Sequence, residues 1–173
     1  MAFFGFLRVS EFTAPTTTSY DSRRTLLNSD ILAGTDLTIR IKTSKTDPYR
    51  RGCDIVIAPS GSSVCAVQAY KEYQQLQQRF DHHPAFIFRN GLFLTRQALN
   101  DITRQLITRA GVQNAHLYST HSFRSGAATS AAKANLPDWL IKTLGRWRSD
   151  SYQIYITTPV AVLRSVPSRL VSA

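Results

Sequence analysis

The sequence predicts a mainly α-helical domain with a small antiparallel sheet of three strands. Two segments, 37–43 and 53–58, alternate apolar with polar residues and are rich in β-branched side chains, which is typical of half-buried strands. The polar, partly basic segment between them predicts a long hairpin turn. Most of the chain after residue 62 has the apolar spacing of helices instead. With 173 residues, 43% of them hydrophobic, the chain is long enough to bury one core.

The first half is predicted to contain two helices and one further strand. Residues 2–12 are mostly apolar and predict a helix that Pro15 terminates. A second helix is predicted over 62–80, and the third strand of the sheet at 85–89. Because a domain seldom begins with a core helix at its second residue, we expect a further region upstream of this sequence.

The second half is predicted to be helical. Thr95 is a suitable N-cap for a helix that ends near residue 110, where Gly111 follows. Three shorter helices are predicted at 121–135, 137–144 and 149–156. The tail from residue 157 contains two prolines and has no clear pattern. Since no repeat or linker divides the chain, residues 1–173 are predicted to form a single domain.

Positive charge predominates, above all in the second half. The chain has 21 Lys and Arg against 11 Asp and Glu, a net charge of +10. Residues 91–173 contain 10 basic and 3 acidic side chains, and the basic ones are interleaved with apolar residues, which indicates a folded surface rather than a basic tail. Nucleic acid is therefore the partner that the charge favours. A basic enzyme without a polyanionic partner is the alternative.

Composition excludes several other classes of protein. Cys53 and Cys65 cannot form a disulfide framework and are predicted to be small core residues. No apolar run approaches the roughly 20 residues of a membrane-spanning helix, and the apolar opening segment lacks the flanking charge of a signal peptide. We expect a soluble protein of a reducing compartment with no membrane partner. Without a glycine-rich phosphate loop or a metal-spaced Cys/His cluster, no cofactor is predicted.

Two short motifs, followed by a pair of tyrosines, contain residues suited to catalysis. The first is Thr-His-Ser-Phe-Arg over 120–124, and the second is Leu-Gly-Arg-Trp over 144–147. On a helix His121 and Arg124 share one face, so a proton-transfer group and a planar cation point to the same place. A tyrosine further along the chain is a candidate nucleophile. His-x-x-Arg alone often occurs by chance, and a helix cap or a core histidine is the alternative for His121.

In their order and spacing these motifs resemble the catalytic domain of the tyrosine recombinases, or phage-type integrases. That family has an arginine in a Gly-Leu-Arg-x-Ser-Glu-like segment, a hairpin lysine, a His-x-x-Arg helix start, a His or Trp after Leu-Gly, and a tyrosine. The corresponding pieces are Gly5-Phe-Leu-Arg-Val-Ser-Glu11, Ser44-Lys-Thr-Asp47, His121-Ser-Phe-Arg124, Leu144-Gly-Arg-Trp147 and Tyr155. The resemblance covers residues 5–156, and residues 137–147 most resemble recombinases of DIRS- or crypton-type eukaryotic mobile elements.

The resemblance implies the tyrosine recombinase fold and a reaction without a metal or nucleotide cofactor. A tyrosine attacks a DNA phosphodiester, and the 3′-phosphotyrosyl intermediate conserves the bond energy for rejoining. Two arginines neutralise the charge on the non-bridging oxygens, while a histidine and a lysine transfer protons. The catalytic residues that the resemblance implies are Arg8, Lys45, His121, Arg124, Trp147 and Tyr155.

For two of these catalytic roles, a neighbouring residue in the sequence is an alternative candidate. Lys42 lies near Lys45 in the same hairpin, and the chemistry of a mobile acid near the phosphate favours Lys45. Gly145 is followed by Arg146 where the family has His or Trp, and Trp147 comes one position later. Either residue is therefore a candidate for the contact with the phosphate.

The nucleophile also has two candidates. Tyr152 and Tyr155 lie three residues apart, so a helix would place them on nearly the same face. In the family pattern the tyrosine follows the Leu-Gly glycine by ten positions, which corresponds to Tyr155. Tyr152 is then expected to pack against the domain.

The resemblance implies partners and a location as well. The substrate is double-stranded DNA, and the activity is site-specific recombination or integration by strand cleavage and rejoining. A full-length enzyme is expected to act as a homotetramer on DNA, in the nucleus if the source is eukaryotic and otherwise in the cytoplasm or nucleoid. The N-terminal DNA-clasping, or core-binding, domain of the family is absent from these residues. The alternative is a catalytically inactive DNA-binding remnant or a domesticated mobile-element protein.

Overall fold

The computed structural model describes residues 1–43, 47, 49, 51–76, 80–156, 158 and 160–171. Over these residues the chain is mainly helical with one three-stranded antiparallel sheet, as the sequence predicts. The strands are β1 (Ile31–Ala33), β2 (Leu37–Ile41) and β3 (Cys53–Ile57). The helices are α1 (Ala66–Gln75), α2 (Arg96–Arg109), α3 (His121–Lys133), α4 (Asp138–Leu144) and α5 (Val160–Val171). None of the described helices is both long and apolar enough to span a membrane.

The sheet has β2 at its centre, with β1 and β3 antiparallel on either side. Leu37, Ile39 and Ile41 are buried on one face of β2, and the residues between them are more exposed. Leu37 pairs with Ile57, and Ile41 pairs with Cys53. This burial follows the alternation that predicts the strands. The apolar face packs against α1 in the larger of two cores.

The strand predicted at 85–89 is wrong, because the third strand of the sheet is β1. In place of a strand, the 85–89 segment forms an isolated bridge between Ile87 and Phe93. Its apolar character reflects the packing of Ala85 and Phe86 against the larger core. β1 has only three residues, which are too few for an alternating pattern to be recognised.

The helix predicted over 2–12 is also wrong. Residues 2–6 form turns, and a 3-10 helix covers Val9–Glu11. Phe6 has a φ of 48°, in the left-handed region that bulky side chains rarely adopt. In a helix the carbonyls of Gly5 and Phe6 would accept hydrogen bonds from main-chain N–H groups four residues later. Arginine side chains from the second half of the chain donate to these carbonyls instead, so a long-range interaction overrides the local pattern.

The helices of the second half largely follow the prediction. α2 begins after Thr95, whose hydroxyl accepts a hydrogen bond from the N–H of Ala98. It ends shortly before Gly111, which has a φ of 74°. α3 and α4 lie within the segments predicted for them. The helix predicted at 149–156 is a 3-10 helix over Asp150–Tyr155.

Two helices differ more from expectation. α1 begins four residues later than predicted, because Ser60 and Ser62 donate to the carbonyl of Val64 and form a turn there. α5 lies in the tail, where the sequence predicts no element. It contains Pro167, a residue that is normally disfavoured inside a helix.

The smaller core joins the N-terminal turn to α3, α4 and the last 3-10 helix. Three of its members are alanines on one face of α3, and their small side chains let the neighbouring segments approach closely. The buried members are Phe6, Ala127, Ala128, Ala131, Ile141 and Tyr152. This core therefore holds together the segments on which the candidate catalytic residues other than Lys45 lie.

Candidate active site

Arg124 lies at the centre of the candidate site and is only 3% exposed. From the first turn of α3, its Nη1 donates to the carbonyl of Phe6 and its Nη2 to the carbonyl of Gly145. The guanidinium stacks on Trp147, with 4.2 Å between Cζ and the ring centroid. Among the described residues, no carboxylate forms an ion pair with Arg124. Within the described part of the chain, the direct hydrogen-bond partners of this buried cation are therefore carbonyls rather than a carboxylate, and Glu11 acts on it only as a nearby charge.

The electrostatics of Arg124 suit an anionic ligand. Burial, together with the nearby charges of Arg8 and Arg146, lowers the pKa of Arg124 to about 10. At neutral pH the guanidinium is still charged. A buried, unpaired charge is unfavourable, and an anion that enters the site relieves that cost. A phosphodiester is such an anion, and a planar guanidinium matches its oxygens.

Arg8 and Glu11 form a compact pair at the N-terminal side of the site. The 3-10 helix Val9–Glu11 turns the carboxylate back, so that the Arg8 backbone N–H donates to Oε2 at 2.8 Å and Arg8 Nη1 donates to Oε1 at 3.0 Å. The predicted site residue Arg8 is thus close enough to Arg124 to influence its pKa. The two arginines lie 116 positions apart in the sequence and meet at one place.

The Leu144–Trp147 motif contacts both arginine-bearing segments. Gly145 presents its carbonyl to Arg124 and lies under the Trp147 ring, where an added Cβ would be 1.6 Å from a ring carbon. The motif therefore requires glycine at this position. Arg146 turns the other way and donates to the N-terminal turn and to the Glu11 carboxylate.

Tyr155 and His121 lie side by side at the edge of the site. Their ring centroids are 5.0 Å apart at an interplanar angle of 66°, and the Tyr155 ring is 6.1 Å from the Trp147 ring. His121 is the first residue of α3 and is exposed. The Thr129 hydroxyl donates to the Tyr155 carbonyl, a contact that the sequence analysis missed. Its place about two helical turns after His121 is the signal that could have indicated it.

Tyr152 and Tyr155 have different surroundings. Tyr152 is 2% exposed and packs against Trp147 with 5.7 Å between ring centroids, as predicted for a structural residue. Tyr155 is half-buried, and its hydroxyl forms no hydrogen bond with the described residues. Of the two hydroxyls, that of Tyr155 is the one available to a substrate.

The two candidate lysines of the hairpin are Lys45 and Lys42. Lys45 lies outside the residues that the structure describes. The alternative candidate, Lys42, forms an ion pair with Asp30, whose carboxylate is 2.6 Å from the Lys42 ammonium. The same ammonium donates to the carbonyls of Ser22 and Thr25 at 2.8 Å and 3.4 Å. Lys42 therefore has a structural role in the loop before β1.

A cavity of about 300 Å³ continues the site toward the hairpin. Its charged lining residues are Asp47, Arg51, Arg146 and Arg148. The backbone N–H of Gly52 donates to Asp47 at 2.8 Å and lowers the pKa of that carboxyl. With three cations and one carboxylate, this wall favours anions. In the described part of the chain, no group of three His, Cys, Asp or Glu side chains is arranged to hold a metal ion.

Comparison with known proteins identifies the fold. No protein-family model and no curated protein sequence matches the chain. XerA recombinase matches with a TM-score of 0.69 and 20% identity over 97% of this chain and 53% of that chain. XerH site-specific recombinase, in a post-cleavage complex with palindromic difH substrate, has a TM-score of 0.66 and 19% identity over 96% of this chain and 42% of that one. The Tn1549 transposon integrase, in complex with circular intermediate DNA, has a TM-score of 0.57 and 16% identity over 98% of this chain and 57% of that chain.

These three proteins are tyrosine recombinases. The chain has the tyrosine recombinase catalytic-domain fold. The fold that the resemblance implies is therefore confirmed, including the three-stranded sheet. This chain spans about half the length of the recombinase structures that it matches.

Proposed function

We propose that this chain is the catalytic domain of a site-specific tyrosine recombinase, which cleaves and rejoins duplex DNA through a 3′-phosphotyrosyl intermediate. The observation that carries the proposal is the buried Arg124 guanidinium, which forms no ion pair with a carboxylate of the described residues and which an anion would complement. The recombinase fold and the net charge of +10 support the DNA backbone as that anion.

The proposed reaction is a transesterification at phosphorus. The Tyr155 oxygen attacks the scissile phosphorus while the bond to the 5′ oxygen breaks. His121, whose ring packs against the Tyr155 ring, accepts the phenolic proton. Lys45 gives a proton to the departing 5′ oxygen, the role that the family resemblance implies. A 5′ hydroxyl then attacks the phosphotyrosine, releases Tyr155 and rejoins the strand. As the resemblance implies, neither a metal ion nor a nucleotide takes part.

The remaining site residues stabilise charge. Arg8 and Arg124 bind the non-bridging oxygens, which gain negative charge as the tyrosine attacks. Trp147 lies against Arg124 and supplies an indole N–H beside the phosphate. We assign the phosphate contact to Trp147 rather than Arg146, because the terminal N–H groups of Arg146 are all occupied by the protein.

The proposal also includes the source of the enzyme and its assembly on DNA. Residues 137–147 most resemble recombinases of DIRS- or crypton-type mobile elements, which supports a eukaryotic element and a nuclear protein. A bacterial source would imply the cytoplasm or nucleoid instead. The full-length enzyme would carry an N-terminal DNA-clasping domain and act as a homotetramer on DNA. The mass of the DNA complex, measured by sedimentation, tests the expectation of four chains.

Trapping a covalent protein–DNA adduct tests the proposed activity. A pool of nicked duplexes with randomised sequence is suitable, because cleavage near the nick releases a short oligonucleotide with a 5′ hydroxyl and prevents rejoining. The chain and the control variant Arg109→Lys, at the exposed end of α2, should both form an adduct that survives denaturation. Binding without any adduct would favour the inactive DNA-binding remnant. A chain that neither binds nor reacts would contradict both functions.

A further inference from the structure

Arg146 occupies the position where the recombinase pattern has His or Trp, yet its contacts lie within the protein. We propose that Arg146 is a positioning residue, which fixes the orientation of Arg8 through the carboxylate of Glu11. The inference rests on the proposed function, since Arg8 is one of the two arginines assigned to the scissile phosphate.

The Glu11 carboxylate is shared between two arginines. Its Oε1 is 3.0 Å from Arg8 Nη1, while its Oε2 is 2.7 Å from Arg146 Nη2 and 2.8 Å from the Arg8 backbone nitrogen. The Glu11 side chain is only 1% exposed, so its carboxylate is satisfied by these protein groups rather than by bulk water. Charge-assisted hydrogen bonds on both oxygens fix the plane of the carboxylate. The Arg8 guanidinium that it holds is thereby fixed as well.

All four terminal N–H groups of Arg146 are used within the protein. Nη1 donates to the carbonyls of Gly5 and Leu144, each at 3.2 Å. Nη2 donates to the carbonyl of Phe6 at 3.2 Å and to Glu11 at 2.7 Å. The remaining donor, Nε, is buried and has no partner among the described residues. A guanidinium has five N–H groups, so Arg146 has no accessible donor for a phosphate and acts through the groups that it holds.

The backbone of Arg146 supports the same interpretation. Its φ of 53° is in the left-handed region, and its N–H donates to the Thr143 carbonyl at 2.9 Å, directly after α4. Glycine is the residue that helix ends favour in this conformation, because a Cβ atom is unfavourable there. A strained backbone conformation of this kind persists only where contacts with the surrounding structure hold it in place. Here those contacts come from the side chain, which reaches residues 135 to 141 positions earlier.

The contacts of Arg146 also connect the two arginines of the site. The Phe6 carbonyl accepts hydrogen bonds from both Arg124 and Arg146. The N-terminal segment that leads to Arg8 is therefore held against α3 and the end of α4 by two of its carbonyls and one carboxylate. Loss of Arg146 would release this segment and remove one of the two arginines that hold the Glu11 carboxylate.

Replacing Arg146 by glycine isolates the contribution of the side chain, because glycine adopts a φ of 53° without strain. We expect Arg146→Gly to form the covalent adduct about 10- to 100-fold more slowly than the parent, since small displacements of a positioned group have effects of this size. The affinity for DNA should be nearly unchanged. Millimolar guanidinium ion should restore the rate by binding beside Glu11. Urea, which is neutral and of the same shape, should not restore it.

Two further variants separate positioning from folding. Glu11→Gln should slow adduct formation like Arg146→Gly, and guanidinium should not rescue it. Asn114→Gly is the matched control, because Asn114 also has a left-handed φ, of 58°, and is in the loop after α2 rather than in one of the segments that carry the site residues. It should react at the parental rate with or without guanidinium. A parental rate for Arg146→Gly, or for Glu11→Gln, would overturn the proposal.

A measurement on the DNA-free protein distinguishes this proposal from the proposed function. Side-chain nitrogen NMR should show slow rotation of the Arg8 guanidinium in the parent, faster rotation in Arg146→Gly, and slow rotation again when guanidinium is added. Unchanged rotation in the variant would overturn the positioning role. A parent that forms no adduct would reject recombinase activity, and the NMR result would still decide the role of Arg146.

Discussion

Replacing Arg124 by lysine tests whether the reaction needs a planar guanidinium and not only a positive charge. In the parent, Nη1 and Nη2 donate to two different carbonyls, those of Phe6 and Gly145, and the guanidinium face covers Trp147. Lysine has a single nitrogen, which cannot reach both carbonyls and also stack on the ring. The variant therefore keeps a cation near the phosphate but loses its fixed orientation.

The expected loss follows from these contacts. One charge-assisted hydrogen bond contributes about 1.5–3 kcal/mol, and a desolvated cation–π contact about 2 kcal/mol. Since part of each loss also affects the ground state, we expect about 2–4 kcal/mol less stabilisation of the transition state, or roughly 30- to 1,000-fold slower cleavage. Burial lowers the pKa of a base at this position, as it does for Arg124. An ammonium there loses its proton as the pH rises, so the ratio of variant to parental rate should fall with increasing pH.

Single-turnover adduct formation on a nicked duplex, with protein in excess, measures this rate. Fluorescence anisotropy of the same duplex should show nearly unchanged affinity, because Arg124 is one of many cations that attract the DNA. Arg109→Lys, the same exchange at an exposed position of α2, controls for the substitution itself. An Arg124→Lys rate within about threefold of the parent would refute the requirement for a planar guanidinium.

Three further predictions concern packing, pH and salt. Gly145→Ala places a Cβ 1.6 Å from the Trp147 ring, so the ring must move. Both the thermal midpoint of unfolding and the rate of adduct formation should therefore fall, and an unchanged midpoint would contradict this packing. A hydrogen bond from the backbone N–H of Gln68 lowers the pKa of Cys65 to about 7, whereas burial raises the pKa of Cys53. Alkylation followed by mass spectrometry should therefore label Cys65 first, with a rate that rises through about pH 7, and preferential labelling of Cys53 would be the contrary result. DNA affinity should fall steeply with salt, with a log–log slope of roughly −0.9 for each phosphate neutralised, and a slope near zero would exclude DNA as the main partner.

Local sequence signals predict those elements whose stability is mainly local. α2 has a capping threonine at Thr95 and Gly111 after its end, and it forms nearly as expected. β2 and β3 follow their alternating pattern. α5 differs, because Pro167 breaks the expected helical pattern and yet lies within the helix. The order and spacing of the motifs, together with the family resemblance, also predict one site for Arg124, Trp147 and Tyr155, and the structure has Trp147 in contact with the other two.

Contacts between residues far apart in the chain leave no local pattern in the sequence. The apolar pattern of residues 2–12 predicts a helix, but the carbonyls of Gly5 and Phe6 bind arginines more than a hundred positions away. No spacing rule could indicate that Arg146 pairs with Glu11, since the two are 135 positions apart. The role of Arg146 therefore becomes visible only when the chain is folded.

The location of the covalent bond tests the central claim most directly. Adduct formed on nicked duplexes is digested with protease and nuclease, and peptide mass spectrometry identifies the residue that retains the nucleotide. We predict the modification on Tyr155, whose ring lies 5.0 Å from that of His121, and none on the buried Tyr152. Tyr155→Phe should abolish the adduct without loss of DNA binding, because only the attacking oxygen is removed, and Tyr152→Phe should retain it. A nucleotide on Tyr152, or an undiminished adduct in Tyr155→Phe, would contradict the proposed mechanism.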